Sequence, residues 1–304
     1  MLESLPLSRF AVHRGAEHRG QPDWAQQAAR SERTRVLVIA DHSVPVTAEL
    51  SLIWVHPESL QLTDSQFADN AVLLGTDGER DYLAVVNDAA TIEAAAWVHL
   101  REVGAELSAH DVGLAVTAVA LSQWHATHRF CTRCGGPTGV SQAGWARVCL
   151  ADGSEHYPRT EPAMIVAVDD ADGRILLGRR TNWQAGWFST LAGFVEAGES
   201  VEACVVREVK EESGVDVDPG SLRYLGSQPW PYPASLMLGY RATATSTHIS
   251  HDHDEMAEVR WYTRREFEQA CIGGELRLPG RVTIAWHLIA DWYGGDLPAE
   301  WSRR

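Results

Sequence analysis

The stretch Gly193–Val215, GFVEAGESVEACVVREVKEESGV, constrains this chain more than any other: it crowds six carboxylates and one arginine into one short helix and its entry loop. Ser200 can cap that helix by accepting from free N–H groups of its first turn, and Gly214 can close it in a left-handed conformation. The helix is therefore predicted over Val201 to Ser213. At about 100° per residue, Val201, Cys204, Val205 and Val209 share an apolar face, with Glu208, Glu211 and Glu212 within or beside it and Ala203, Val206 and Lys210 opposite. Carboxylates turned toward the body of a protein are costly unless a cation compensates them.

A divalent cation is the natural partner. An amphipathic helix with ordinary salt bridges is the plainer alternative, and the preceding loop weighs against it. Gly193, Gly198 and Glu199 give a flexible approach that can bring backbone carbonyls and a further carboxylate to the same ion. Oxygen-only ligands favour Mg²⁺ or Mn²⁺ over zinc.

Gly193, five residues, Glu199, seven residues and then Arg207-Glu208-Val209-Lys210-Glu211-Glu212-Ser213-Gly214-Val215 resembles a complete Nudix box, with nine fixed positions matched. The resemblance implies hydrolysis of a nucleoside diphosphate linked to another moiety. It also implies an α+β chain whose Nudix part is an α/β/α sandwich around a mixed sheet.

The rest of the chain is read around that box. A length of 304 residues accommodates two domains, or two and a small module. A formal charge of −15 disfavours an extended grip on nucleic acid. The first residues contain an acid and lack a long apolar core, and no apolar run approaches the roughly 18 residues of a membrane span, so a cytoplasmic, non-membrane protein is expected. Five cysteines, an odd count, suit a reducing compartment.

Residues 1–34 carry no readable role. The apolar runs Val36–Ile39, Leu52–Val55, Ala71–Leu74 and Tyr82–Val86 predict strands, and helices are expected over Asp88–Val103 and Asp111–Thr127. The expected division is a β-rich domain over 1–128, a zinc-ribbon-like module over 129–160 and the Nudix domain over 161–304. In the module, Cys131 and Cys134 have the spacing of two thiolates on one tetrahedral metal. Cys149 lacks a cysteine partner; Asp152 sits where one would be expected and His156 lies a little further on. The set is a mixed zinc site with one of those two as fourth ligand, or a metal-free remnant. Beyond it, Ala163–Val168 and Ile175–Leu177 predict a hairpin, Trp187–Leu191 a strand entering the loop, and Leu222–Leu225, Leu236–Thr243 and Val259–Tyr262 further strands. Helices follow Thr263 and span about Arg281–Trp292.

The box leaves the substrate open. In Ser227-Gln228-Pro229-Trp230-Pro231-Tyr232-Pro233-Ala234-Ser235, three prolines stiffen the backbone around two aromatic rings, which can stack on a purine or nicotinamide or simply fill core. This segment is similar to the SQPWPFPxS motif of the NADH pyrophosphatase family, with Tyr232 for the usual Phe. That family also carries a zinc ribbon before its Nudix domain and a Tyr-Pro at the junction, here Tyr157-Pro158. The absent fourth cysteine is the departure.

The resemblance implies metal ligation by the Ala192 carbonyl, Glu208, Glu212 and a downstream glutamate, Glu255 in preference to Glu258. It implies substrate contacts from Gln228 through Ser235 and from Tyr157, Phe194, Ala285 and Arg101. Glu211 or another box glutamate would activate water, and Arg207 would orient a box carboxylate. The implied reaction is hydrolysis of the NADH or NAD⁺ pyrophosphate to AMP and the nicotinamide mononucleotide, with removal of NAD caps from RNA 5′ ends and a homodimer also implied. The rivals are another nucleoside diphosphate derivative such as ADP-ribose, or a non-catalytic nucleotide-sensing zinc-ribbon protein.

Overall fold

The computed structural model describes residues 1–2, 4–21, 23–86, 92–251 and 253–302. Its contacts divide the chain into two units. One comprises Arg9–Thr160 with Trp230–Ala234, the other Met1–Ser8, Glu161–Pro229 and Ser235–Arg304. By these contacts the ribbon shares a unit with the N-terminal part, the first unit includes Trp230–Ala234 and the second includes Met1–Ser8.

In the first unit a short helix α1 (Trp24–Ala29) precedes β1 (Thr34–Ile39) and β2 (Ser43–Val46). Then come α2 (Asp64–Asn70), β3 (Ala71–Thr76), β4 (Asp81–Val86), β5 (Ala96–His99), the one-turn α3 (Leu100–Val103) and α4 (Ala109–Thr127). Strands β1, β4 and β3 form a sheet, parallel at β1–β4 and antiparallel at β3–β4, against which α4 packs. Leu52–Val55 is not a strand. Leu52 and Val55 make only isolated bridges to Val46 and Val36. The helix expected over Asp88–Val103 is also replaced: residues 87–91 lie outside the described residues, and Ala96–His99 pairs antiparallel with β2, where Trp97 and Val98 suit a sheet better than a helix. The ribbon is a three-stranded sheet of β6 (Thr138–Ser141), β7 (Ala146–Cys149) and β8 (Glu155–His156).

The second unit is built on β9 (Glu161–Asp169), β10 (Ile175–Arg180), β11 (Leu191–Phe194), α5 (Val201–Ser213), β12 (Arg223–Trp230), β13 (Ser235–Thr243), β14 (Met256–Tyr262), α6 (Arg264–Gly273) and α7 (Ile284–Tyr293). The sheet order is β12-β13-β9-β10-β14 with β11 also paired to β9; β13–β9 is parallel and β9–β10, β10–β14 and β11–β9 are antiparallel. Successive side chains of β9 point to opposite faces, and both faces are covered. Met164, Val166 and Val168 pack on Cys204, Val205 and Val209 of α5, whereas Ile165 and Ala167 share a core with Phe267 of α6 and Ile284, Leu288 and Ile289 of α7. That is the expected α/β/α sandwich. The strand expected to start at Trp187 begins at Leu191, because Ser189 makes only an isolated bridge to Gly178.

The first eight residues have a role that sequence reading missed. Leu2 N–H donates to the Leu225 carbonyl at 2.7 Å and Leu7 N–H to Gln228 Oε1 at 3.2 Å, while Leu5 joins the core beneath α7. No helix among the described residues is long and apolar enough to cross a membrane.

Candidate active site and metal centres

Helix α5 forms as its sequence requires. Ser200 Oγ accepts from Ala203 N–H at 3.2 Å, and Gly214 ends the helix at φ 75°, pressed against the Ser250 backbone where a Cβ would collide. Its last three acids sit in three environments. Glu212 is 2% exposed, Glu208 is nearly buried and Glu211 is 57% exposed. Glu211 therefore lies on the outer flank of the helix, not beside its apolar face, and Val206, expected opposite, packs partly on the inner core.

Arg207 holds the acids in register. Its Nε and Nη2 donate to the two Glu199 oxygens at 2.8 Å each, Nη1 reaches Glu208 at 2.8 Å and Glu211 at 2.9 Å, and Nη2 also reaches the Phe194 carbonyl at 3.1 Å. This bidentate fork draws the Glu199 pKa down to about 2 and raises that of Arg207. Glu199, expected to approach the ion, is instead occupied by Arg207. Gly193, read as a source of flexibility, sits in β11, where a Cβ would fall within the Glu208 carboxyl group. The position needs a glycine for space.

Sequence reasoning missed Arg180. Its Nη2 donates to Glu212 Oε1 and to the Ala192 carbonyl, both at 2.9 Å, and its Nη1 lies 3.4 Å from Glu255. One guanidinium thus gathers three of the four groups expected to bind a divalent ion, and Ala192 N–H donates to the other Glu212 oxygen at 3.1 Å. Glu258 lies elsewhere, 3.9 Å from Arg179 and 3.5 Å from Arg260. Burial is the main reason the Glu212 pKa rises to about 7, with Arg180 opposing it. Its oxygens, the Ala192 carbonyl and the adjoining carboxylates are a hard-oxygen donor set that fits Mg²⁺ or Mn²⁺.

A cation competing with a metal for the same oxygens should weaken the apparent metal affinity. In Arg180→Gln, half-saturation by Mn²⁺ is expected at an about tenfold lower concentration, while metal-free stability falls by about 1–3 kcal/mol. Calorimetric titration of Mn²⁺ decides; weaker binding in the variant would mean that Arg180 organises the ligands instead.

The aromatic loop is placed in the first unit. Arg101 Cζ lies 4.0 Å from the Tyr232 ring centroid and 5.4 Å from that of Trp230, and His99 stacks on Tyr232 at 5.0 Å. With both neighbours on Tyr232, Trp230 is the less engaged ring of the two. The Gln123 side chain donates to the Pro231 carbonyl, and the Tyr232–Pro233 peptide is cis. Pro233 is exposed and Ala234 half-buried. In the second unit Gln228 is fully buried: besides accepting from Leu7 it donates to the Val282 carbonyl at 3.0 Å, so its amide is consumed by the frame. Ser235 and Ala285 are buried, Ala285 within the core, and Pro229 is half-buried. Phe194 is exposed; in the first unit so is Tyr157, whose hydroxyl donates to Glu155 at 2.6 Å.

In the ribbon, one ligand atom from each of Cys131, Cys134, Cys149 and Asp152 lies within 4.8 Å of the others. The alternative fourth ligand, His156, is outside this group and sits 3.4 Å from Ser154 Oγ. Backbone N–H groups of Arg133, Gly136, Ala151 and Asp152 each point at a sulfur at 3.4 Å. A hydrogen bond from Ser154 is the main cause lowering the Cys131 pKa to about 6. Three thiolates and a carboxylate within one small tetrahedron's reach fit zinc.

Family models match at residues 159–277 (NUDIX domain), 126–157 (NADH pyrophosphatase zinc ribbon domain) and 32–124 (NADH pyrophosphatase-like rudimentary NUDIX domain). The chain is 43% identical over 204 residues to the "NAD-capped RNA hydrolase NudC" of Mycobacterium bovis BCG Pasteur, covering 64% of each. It is 38% identical over 199 residues to human "NAD-capped RNA hydrolase NUDT12", covering 62% of this chain and 43% of the relative. The matched region therefore spans less than two thirds of either relative. A NUDIX hydrolase structure from Nitrosomonas europaea overlays with a TM-score of 0.39 and 22% identity, over 45% of this chain and 79% of that one. The chain thus carries, in order, a rudimentary NUDIX-like domain, a zinc ribbon and a NUDIX domain, as the NADH pyrophosphatase and NUDIX family models describe them.

Proposed function

We propose that the protein is a metal-dependent NAD(H) diphosphatase, cutting the pyrophosphate of NADH or NAD⁺ to AMP and the nicotinamide mononucleotide, and that it also removes NAD caps from RNA 5′ ends. The observation that carries this reading is the buried Glu212 carboxylate, grouped with the Ala192 carbonyl and Glu255 around one internal cation. Bound Mg²⁺ or Mn²⁺ would supply charge neutralisation at the phosphates and a more acidic water. Glu208, Glu212, Glu255 and the Ala192 carbonyl would hold it. Glu211, exposed on the outer flank of the helix, would accept a proton from water, and Arg207 keeps Glu208 and Glu211 in place. Relatives named for NAD-capped RNA hydrolysis support the substrate class.

The direct test is release of AMP from NADH with Mn²⁺ and its absence with EDTA, alongside 5′-monophosphate RNA from an NAD-capped transcript. A larger kcat/KM on ADP-ribose than on NADH would move the assignment to the rival substrate, and no metal-dependent release from either would leave a nucleotide sensor.

In the first unit Trp230 and Arg101 are the proposed stacking and anion-holding groups for the dinucleotide, with Tyr232 as their support and Tyr157 as a further exposed ring; in the second unit the exposed Phe194 is a ring that can stack on a base. Trp230→Ala should weaken NADH binding about tenfold or more, from a stacking contribution of about 1–3 kcal/mol, with Mn²⁺ affinity unchanged. Equal NADH affinity in titrations of both proteins removes Trp230 from the site.

The ribbon would hold one structural zinc through Cys131, Cys134, Cys149 and Asp152, its four places closed to chemistry. Elemental analysis should find one zinc per chain and none in Cys149→Ser; zinc-free wild type would mark a remnant. The five thiols, all free, suit the cytoplasm. The homodimer suggested by family resemblance is checked by light scattering, where a monomer mass would exclude it.

A further inference from the structure

A cavity of about 460 Å³ lies wholly within the first unit, among β3, β4, α4 and the ribbon strands β6 and β7. Its deep wall is apolar, with Ala71, Val72, Ala84 and Ala118 almost fully buried. Two arginines, Arg129 and Arg147, line it from the ribbon side.

Arg147 is partly buried, and every acceptor it uses is neutral. Its Nε donates to Thr138 Oγ1 at 2.7 Å, Nη2 to the Thr138 carbonyl at 2.7 Å and Nη1 to His125 Nδ1 at 2.9 Å. Three of its five N–H donors are used, leaving two. The His125 tautomer follows from its other contact: Nε2 donates to the Gly144 carbonyl at 2.8 Å, so Nδ1 carries the lone pair facing the guanidinium. Burial pushes the His125 pKa down to about 4, so the ring adds no charge.

Neither arginine has an ion-pair partner among the described residues. Asp69, at the rim, is the one carboxylate lining the cavity, and it lies beyond ion-pair distance of both. Two guanidiniums that share one more distant rim carboxylate, in a chain of net charge −15, are a recognition feature for an anion. Phe130, 67% exposed, presents a ring on the same rim.

We propose that this cavity binds a nucleoside monophosphate, its phosphate between Arg129 and Arg147 and its base along the apolar wall beside Phe130. A bare phosphate would leave the apolar volume unfilled, and the volume falls within the range of small-molecule sites. Two cations opposed by one rim carboxylate match the charge of a monophosphate better than that of a polyphosphate. The site is separate from the acids of α5 and does not depend on hydrolysis there.

The test uses the full chain in EDTA with AMP as probe. Hydrogen exchange should slow over 118–130 and 138–147, and calorimetry should give a dissociation constant raised about tenfold in Arg129→Ala, an exposed residue whose loss leaves the fold intact. Ala126→Trp, which fills the mouth from an exposed position of α4, should abolish the protection with an unchanged melting temperature. Adenosine and inorganic phosphate should each bind at least tenfold more weakly than AMP. Protection confined to 201–213, equal affinity in both variants, or adenosine or phosphate binding as tightly as AMP would each overturn the proposal.

Discussion

Glu212→Gln should lower kcat for NADH by at least about 10²–10³-fold while the protein stays folded. The reason is geometric: Glu212 is the one acid of α5 that is buried, accepting from the Ala192 N–H and sharing Arg180 with the Ala192 carbonyl, so no neighbour can replace its charge there. Wild-type turnover in this variant would remove Glu212 from the metal site.

The same residue sets a pH dependence. Its folded pKa of about 7 lies above the ordinary 4.5. Its contribution to metal-free stability is therefore fully present below about pH 4.5 and is lost as pH rises through 7, a change on the order of 3 kcal/mol. A divalent ion binds the carboxylate and reverses that loss, so Mn²⁺ should raise the melting temperature more at pH 8 than at pH 5.5. In Glu212→Gln the difference between the two pH values should shrink. An equal Mn²⁺ effect at both values in the wild type would contradict the assignment.

Gly193→Ala should cost almost as much activity through a different route. The added methyl group would occupy the place of the Glu208 carboxyl, so either β11 or the glutamate must shift. Because Arg207 holds Glu208, Glu199 and Glu211 together, displacing one disturbs all three. The expected result is an about 10²-fold loss in kcat with weaker Mn²⁺ binding and about 1–3 kcal/mol less stability. Combining it with Glu208→Asp, one methylene shorter, should recover part of the melting temperature. Unchanged Mn²⁺ affinity in Gly193→Ala would show that Glu208 tolerates the shift and lies outside the metal's ligand set.

Helix α5 was legible because its instructions are local. Ser200, Gly214 and the alternation of apolar and acidic positions act within one or two turns, and the box spacing names the chemistry. Arg180 was hidden, because its approach to Glu212 depends on how β10 registers with β14, where the pairing shifts between Arg179 and Arg180. The need for glycine at Gly193 was hidden for the same reason: the obstacle is a side chain from another element. Ala96–His99 misread as helix because its alanine-rich approach has helical propensity, which pairing with Ser43–Val46 overrides. Glu255 over Glu258 is readable only through resemblance, and the sequence does not choose between Asp152 and His156; distances bring Glu255 to Arg180 and Asp152 to the three thiols.

The lacing of residues 1–8 onto β12 has a consequence for synthesis. Leu7 and its acceptor Gln228 are separated by 221 positions, so at ribosomal speeds the leading segment waits about 10–40 s for the strand that receives it. During that interval Leu5 and Leu7 are exposed apolar residues on a growing chain. A fragment cut just before Glu161 would carry the whole Nudix box yet leave Gln228 Oε1 without its Leu7 donor and a gap where Leu5 fills the core.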